Sequence, residues 1–134
     1  MNHASWLKPL RWPHLWLSLW GLAILVVIVV CLMPPPPLPP LPENSDKVEH
    51  LLGYFFLAAA AVQLFAGRRA LWIVGIGLVA MGIGIEVAQG ALTSDRSADP
   101  HDALANTMGV LLGMATQFTP WRDLLLRLEK RWSL

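Results

Sequence analysis

Residues 70–92 read ALWIVGIGLVAMGIGIEVAQGAL, a long apolar run that carries an acid near its end. A transmembrane helix needs about 20 mainly apolar residues to cross roughly 30 Å of hydrocarbon. An ionisable side chain inside such a helix is expensive to insert, so it normally faces the bundle interior and marks function. Glu86 is that side chain here, and Gln89 lies three residues later on the same helix face.

Three other long apolar segments accompany this one. The chain has 134 residues, which is the length of one domain, and only 14% of them are charged. Soluble domains average roughly 25% charged residues, and the mean hydropathy here is +0.51. We therefore predict an all-α integral membrane bundle, a single domain over residues 1–134. Its four transmembrane helices are expected at about residues 15–33, 48–66, 70–92 and 101–118.

The first segment has a competing interpretation as a cleaved signal peptide. The run is longer than the usual 7–15-residue apolar core of a signal, and no A-x-A-like cleavage site follows it, so we favour an uncleaved helix. The single cysteine, Cys31, excludes a disulfide framework.

The last segment, residues 121–133, has a different pattern. Its apolar residues line one side, and four basic residues point elsewhere. We predict an amphipathic helix that lies on the membrane surface near anionic lipid and acts as an anchor.

The basic residues predict the orientation of the chain. Eight of the ten Lys and Arg fall at one end of the predicted bundle, before the first helix, in the short second loop and after the fourth helix. Because cytoplasmic loops carry an excess of Lys and Arg, we expect both termini to be cytoplasmic. The net charge of +1 gives no reason to expect a nucleic acid partner.

Polar residues that carry chemistry fall at the opposite, outward end of the same helices. If they converge, they form one site, which we predict to bind a ligand through the following residues: Asp46, Lys47, His50, Tyr54, Gln89, Arg96, Asp99, Asp102 and Asn106. The second and fourth helices both start there, so their positive dipole ends would add to Lys47 and Arg96 in a pocket for a phosphate or carboxylate.

Two helix starts carry recognisable signals. Asp46 followed by Glu49 fits a capping box, and Asp99 before Pro100 fits an N-cap followed by proline at the first helical position. Capping alone is also an adequate explanation for both aspartates. For packing, we expect a small-residue stripe on the third helix to meet a face of the fourth helix. The stripe is Gly77, Ala80, Gly84, Ala88 and Ala91; the facing residues are Asp102, Asn106, Gly109 and Gly113.

Glu86 and His50 are the candidate catalytic residues, each as a general base. We expect Glu86 to be paired with Lys47, His50 or Arg96 rather than to be a merely protonated structural acid. No H-x-x-x-H, H-E-x-x-H or cysteine spacing supports a metal site, and no cofactor is predicted.

Three blocks of sequence resemble the VanZ-like family of small bacterial membrane proteins. They are DKVEH at 46–50 followed by Tyr54, GIEVAQ at 84–89, and RSADPHDALANTMG at 96–109. The resemblance covers about half of the chain and implies a role in the bacterial cell envelope, within the inner membrane. The family is named after a protein linked to resistance against the glycopeptide teicoplanin, so a link to glycopeptide resistance is part of what the resemblance implies.

These observations predict an envelope protein whose outward pocket binds an anionic component, such as a lipid-linked precursor, in contact with membrane lipids. One alternative is a membrane-embedded enzyme acting on a lipid-linked headgroup, with Glu86 or His50 as base. Another is a structural subunit of a membrane assembly, in which a buried ion network fixes helix packing. The sequence does not determine the oligomeric state.

Overall fold

The structure is a computed structural model that describes residues 5–34, 39, 42, 45–92 and 98–133. The described residues form helices and no β-strand, so the prediction of an all-α protein is confirmed. Five α-helices follow one another, with two short 3₁₀ segments, Thr116–Phe118 and Pro120–Asp123, between the last two. The α-helices are α1 (Pro13–Leu32), α2 (Ser45–Leu64), α3 (Arg68–Leu92), α4 (Pro100–Ala115) and α5 (Leu124–Trp132).

The helix boundaries follow the predicted segments with two local differences. The fourth segment stops being α-helical at Ala115 and continues to Phe118 as a 3₁₀ turn. The predicted interfacial helix begins with the 3₁₀ turn from Pro120, because proline supplies no N–H for a preceding helical bond. The prediction of Asp46 as an N-cap is wrong: α2 already begins at Ser45, so Asp46 lies in its first turn. Asp99 does cap α4, since its carboxylate accepts a hydrogen bond from the His101 backbone N–H.

Two of the helices, α1 and α3, are long and apolar enough to cross a membrane. Among the described helices, α2 and α4 do not reach that standard. The first five residues of α2 include three charged ones, Asp46, Lys47 and Glu49, and α4 has 16 residues.

The tightest packing in the bundle joins α2 to α4. A Cβ added at Gly109 would lie 2.3 Å from the Leu51 carbonyl oxygen, and one at Gly113 would lie 2.5 Å from the Phe55 carbonyl oxygen. Two helix backbones can approach this closely only where small residues face the neighbour. The glycine face of α4 therefore packs on α2, whereas we had expected it to pack on the third helix.

The small-residue stripe predicted on α3 is also wrong. Gly77 and Gly84 are exposed, with nothing within 4 Å of an added Cβ, and Ala80 is exposed as well. The buried face of α3 instead carries Leu78 and Ile85 together with Gly75 and Gly82, and it continues into Glu86 and Gln89. A Cβ added at either glycine would meet side chains of α2 or α4 and not their backbones, so α3 packs less closely than α4 does on α2.

The helices define two ends that are used as names below. The polar end comprises the last turn of α1, the first turns of α2 and α4, the last two turns of α3, and residues 98 and 99. The basic end comprises residues 5–12, the α2–α3 turn, the 3₁₀ segments and α5. Helix α1 has no buried residue. It is held by the Trp20 indole N–H, which donates to the Leu57 carbonyl at 3.0 Å, and by contacts at its two ends.

Candidate functional site

Lys47 is the centre of an ion network at the polar end. Its Nζ atom lies 3.1 Å from Asp99 Oδ2 and 3.2 Å from Asp102 Oδ1, with Asp46 Oδ2 further away at 3.6 Å. The first turn of α2 supplies the cation, and the start of α4 supplies its two closest carboxylates. The cap of α4 is thereby tied to the start of α2.

Asp99 joins this network to Glu86. The Asp99 backbone N–H donates to Glu86 Oε1 at 2.6 Å, and the Asp99 carboxylate accepts from the His101 backbone N–H at 2.9 Å. That backbone hydrogen bond, followed by the bond from Lys47, holds the pKa of the Asp99 carboxyl below its ordinary value. Asp99 therefore stays ionised at neutral pH, as both partners require.

Glu86 is buried, with only 5% of its surface exposed. Among the described residues its hydrogen-bond partner is a backbone N–H, whereas a cationic partner had been expected. Of the three expected partners, Lys47 bonds to the aspartates and His50 to Asn106, and Arg96 lies outside the described residues. The second carboxylate oxygen, Oε2, is buried and has no partner among the described residues.

A second line of contacts runs one turn deeper into the bundle. His50 Nδ1 lies 3.0 Å from Asn106 Oδ1, which joins α2 to α4. Tyr54 is almost fully buried, and its hydroxyl has no hydrogen-bond partner within the described part of the chain. A Cβ added at Gly82 would lie 3.2 to 3.3 Å from Asn106 and Tyr54, so the glycine lets α3 close over both side chains.

Gln89 ties α1 to the same end of the bundle. Its Nε2 atom donates to the Cys31 carbonyl at 2.7 Å, in the last turn of α1. The structure thus brings eight of the ten predicted site residues to the polar end or to the turn next to it, on α2, α3, α4 and the residue preceding α4, and Tyr54 lies halfway along α2. The tenth, Arg96, lies in the segment 93–97, outside the described residues.

The charge balance at the polar end differs from the expected anion pocket in one respect. The start of α4 is already satisfied from within the protein: its cap bonds the His101 N–H, and the Asp102 N–H bonds the Asp99 carbonyl at 3.0 Å. Lys47 uses two of the three N–H donors of its ammonium group on Asp99 and Asp102. Asp46 Oδ2, at 3.6 Å, lies nearest to the remaining Lys47 donor, and the Ser45 N–H bonds the Pro42 carbonyl at 3.2 Å. Three carboxylates therefore surround Lys47, and the positive dipole end of α2 is what the described residues leave for an anion.

No group of three or more His, Cys, Asp or Glu side chains in the described ranges is arranged to hold a metal ion.

The basic end contains a buried glutamate that sequence reasoning missed. Glu129 in α5 is only 2% exposed. One carboxylate oxygen accepts from the Arg11 backbone N–H at 2.7 Å, and the other accepts from the Trp16 indole N–H at 2.5 Å. From the sequence alone, Glu129 is one more charged residue on the polar side of an amphipathic helix. Its partners lie more than 110 residues away in the chain, so no local pattern indicates them.

Other polar groups at the basic end are bonded as well. Lys8 Nζ lies 2.9 Å from Asp123, and this bond holds the pKa of the Asp123 carboxyl below its ordinary value. Gln63 donates to the Trp121 carbonyl at 2.8 Å and accepts from the Leu125 N–H at 3.0 Å. The tail helix is thus fastened to residues 8–16 and to α2, in addition to any contact with a membrane surface.

Comparison with known proteins adds no relative: no family model, curated protein or solved structure matches the chain.

Proposed function

We propose that this protein is a four-span, VanZ-like protein of the bacterial inner membrane whose polar end binds the headgroup of an anionic, lipid-linked envelope component. Both termini would be cytoplasmic, and the polar end would face outward. A link to glycopeptide resistance would follow from the handling of such a component.

The four-span topology is supported by the lengths of the two less apolar helices. Helix α2, with 20 residues, extends for roughly 30 Å. Helix α4 and its 3₁₀ continuation to Phe118 extend for about the same distance. Both helices lie against each other, and exposed apolar side chains such as Phe56 and Leu111 cover their outer faces. Such faces suit a hydrocarbon environment better than water.

One observation supports the proposed ligand site above all others. Two buried polar atoms, Glu86 Oε2 and the Tyr54 hydroxyl, have no partner in the described chain, although they lie beside a network in which the other acids are bonded. An unsatisfied buried polar atom costs roughly 1–3 kcal/mol, and more for a charged group. A ligand that bonds both atoms would recover that free energy on binding.

The chemistry of these atoms defines the ligand. An ionised carboxylate oxygen only accepts hydrogen bonds, so the ligand must bring an O–H or N–H donor to Glu86. The positive dipole end of α2 favours negative charge nearby, and the sequence supplies Arg96 as a further cation. A headgroup with hydroxyl or amide donors next to a phosphate meets both requirements, and its lipid tail would lie along the exposed apolar faces of the helices.

Native mass spectrometry with an undecaprenyl diphosphate that carries an N-acetylated sugar, whose hydroxyl and amide groups supply the required donors, tests the proposal. Each Lys or Arg near anionic lipid is worth about 1 kcal/mol, so Lys47→Ala/Arg96→Ala should bind roughly thirtyfold more weakly than wild type. The matched control is Arg68→Ala/Arg69→Ala in the exposed first turn of α3, which should bind like wild type. Equal binding by wild type and the Lys47/Arg96 double variant would refute the site.

The unpartnered oxygen of Glu86 also suits a general base, which favours an enzyme as the second candidate. In that case Glu86→Gln would fold and bind the lipid, but it would release no product from a lipid-linked substrate. Product formation at the wild-type rate would exclude Glu86 as the base.

A structural subunit is the third candidate. The two hydrogen-bonded ion pairs that Lys47 forms with Asp99 and Asp102 favour it. It predicts that variants of this network lower the stability of the protein and leave lipid binding unchanged.

A further inference from the structure

An apolar groove lies between α1 and α2 on the side of the basic end. Its volume is about 390 Å³, within the range of small-ligand pockets. The walls include Trp16, Leu19 and Ala23 of α1, Phe56 and Ala60 of α2, and Leu125 of α5. The polar end contributes no residue to this groove, so it is separate from the candidate site.

The polar groups on its walls are already satisfied. Gln63 bonds the Trp121 carbonyl and the Leu125 N–H, and the Trp16 and Trp20 indoles donate to Glu129 and to the Leu57 carbonyl. A polar occupant would find no free partner on these walls, so the groove suits an apolar chain.

Exposed basic residues lie close in sequence to the groove wall that α5 supplies. Leu125, on that wall, comes after Arg122 and before Arg127, and both arginines are exposed. Arg122 Nε also lies 3.5 Å from Asp123 Oδ2. Arg127 uses one guanidinium nitrogen on the Pro120 carbonyl, which positions the group and leaves its other donors for a ligand. An apolar groove that ends beside exposed arginines matches an amphiphile with an anionic head.

We propose that this groove holds one acyl chain of an anionic phospholipid of the cytoplasmic leaflet, with its phosphate against Arg122 and Arg127. The proposal rests on the membrane placement proposed above and is independent of the ligand at the polar end. A second copy of the chain fits less well. Two copies inserted in the same orientation would place their basic ends side by side, and like charges repel.

The test is native mass spectrometry of the full chain in detergent, titrated with phosphatidylglycerol and with phosphatidylcholine of the same acyl chains. Wild type should retain phosphatidylglycerol preferentially. Arg122→Gln should weaken its retention roughly fivefold, as expected for one basic contact, while the exposed Arg69→Gln should not. Ala60→Trp fills the groove and should weaken retention about tenfold or more, because several methylene groups lose their burial site. The exposed Ala80→Trp on α3 is its control.

Several outcomes would overturn the proposal. They are equal retention of the two lipids by wild type, wild-type retention by both Arg122→Gln and Ala60→Trp, or a shift from dimer to monomer in Ala60→Trp with lipid retention unchanged. If Ala60→Trp does not fold, the Arg122 and Arg69 pair decides alone, since both side chains are exposed. Arg122→Gln leaves the polar end unchanged and should bind the lipid-linked ligand of that end like wild type, so failure of the polar-end site and failure of this groove give different results.

Discussion

The two ends of the molecule each contain a buried glutamate, and the two carboxylates differ in how many of their oxygens are hydrogen-bonded. At the basic end, both oxygens of Glu129 accept hydrogen bonds, from Arg11 and from Trp16. At the polar end, Glu86 bonds one backbone N–H, and its other oxygen has no partner in the described residues. A polar cluster that satisfies itself stabilises the fold. A cluster that leaves buried atoms unpaired is one that a ligand can complete.

The largest expected difference comes from the same change made at each end. In Glu129→Gln the new NH₂ group would face either the Arg11 backbone N–H or the Trp16 indole N–H, so one buried donor loses its acceptor. The remaining hydrogen bond also loses the contribution of the negative charge. We expect the free energy of unfolding to fall by about 3 kcal/mol. Glu86→Gln keeps an acceptor for the Asp99 backbone N–H, so it should change the free energy of unfolding by less than about 1 kcal/mol. Thermal unfolding in detergent measures both, and equal losses would remove the contrast between the ends.

The packing between α2 and α4 connects the two ends, and it should tolerate no added methyl group. Gly113→Ala would place Cβ against the Phe55 carbonyl and Ala58, so we expect a loss of about 2 kcal/mol from overpacking. Gly84→Ala on α3 meets nothing within 4 Å and serves as the control. A Gly113 variant as stable as the Gly84 variant would mean that the two helices are further apart.

The contrast can be sharpened with one hydrogen-bonding group at each end. Trp16→Phe removes the donor to Glu129 and should lower stability by about 1–2 kcal/mol. Tyr54→Phe removes a hydroxyl without a described partner, so stability should stay within about 0.5 kcal/mol of wild type. Chemical unfolding curves of the two variants give the comparison. A clear loss in Tyr54→Phe would show that this hydroxyl is bonded within the protein.

The smallest expected effect is on the pH dependence of stability. Because the pKa of Asp99 is lower in the folded protein than in the unfolded chain, its contribution is complete at neutral pH and is lost as the pH falls through the folded value. Unfolding temperatures of wild type should therefore decrease below about pH 4. Asp99→Asn should decrease less over the same range, and an identical pH profile for the two proteins would contradict the network.

The sequence predicted the polar end well because its signals are local. Charged residues at the ends of apolar segments are costly in a bilayer, and this placed Glu86, Lys47 and Asp102 at one end before any contact was known. The same argument could not find Glu129, because its burial depends on Arg11 and Trp16, which meet α5 only in the folded chain. Nor could it decide which helix faces which. The glycine face of α4 was correctly recognised as a close-packing surface, but its partner is α2, since neighbours along the chain need not be the nearest neighbours in a bundle.

The ligand site is tested most directly by the shift in unfolding temperature that an undecaprenyl diphosphate carrying an N-acetylated sugar produces in wild type and in Glu86→Gln. A ligand at a hundredfold excess over its Kd stabilises the folded state by about 2.7 kcal/mol. We expect a clear upward shift for wild type and a much smaller one for Glu86→Gln, with similar unfolding temperatures for the two ligand-free proteins. This expectation would be contradicted if ligand-free Glu86→Gln were strongly destabilised while the lipid shifted both proteins equally.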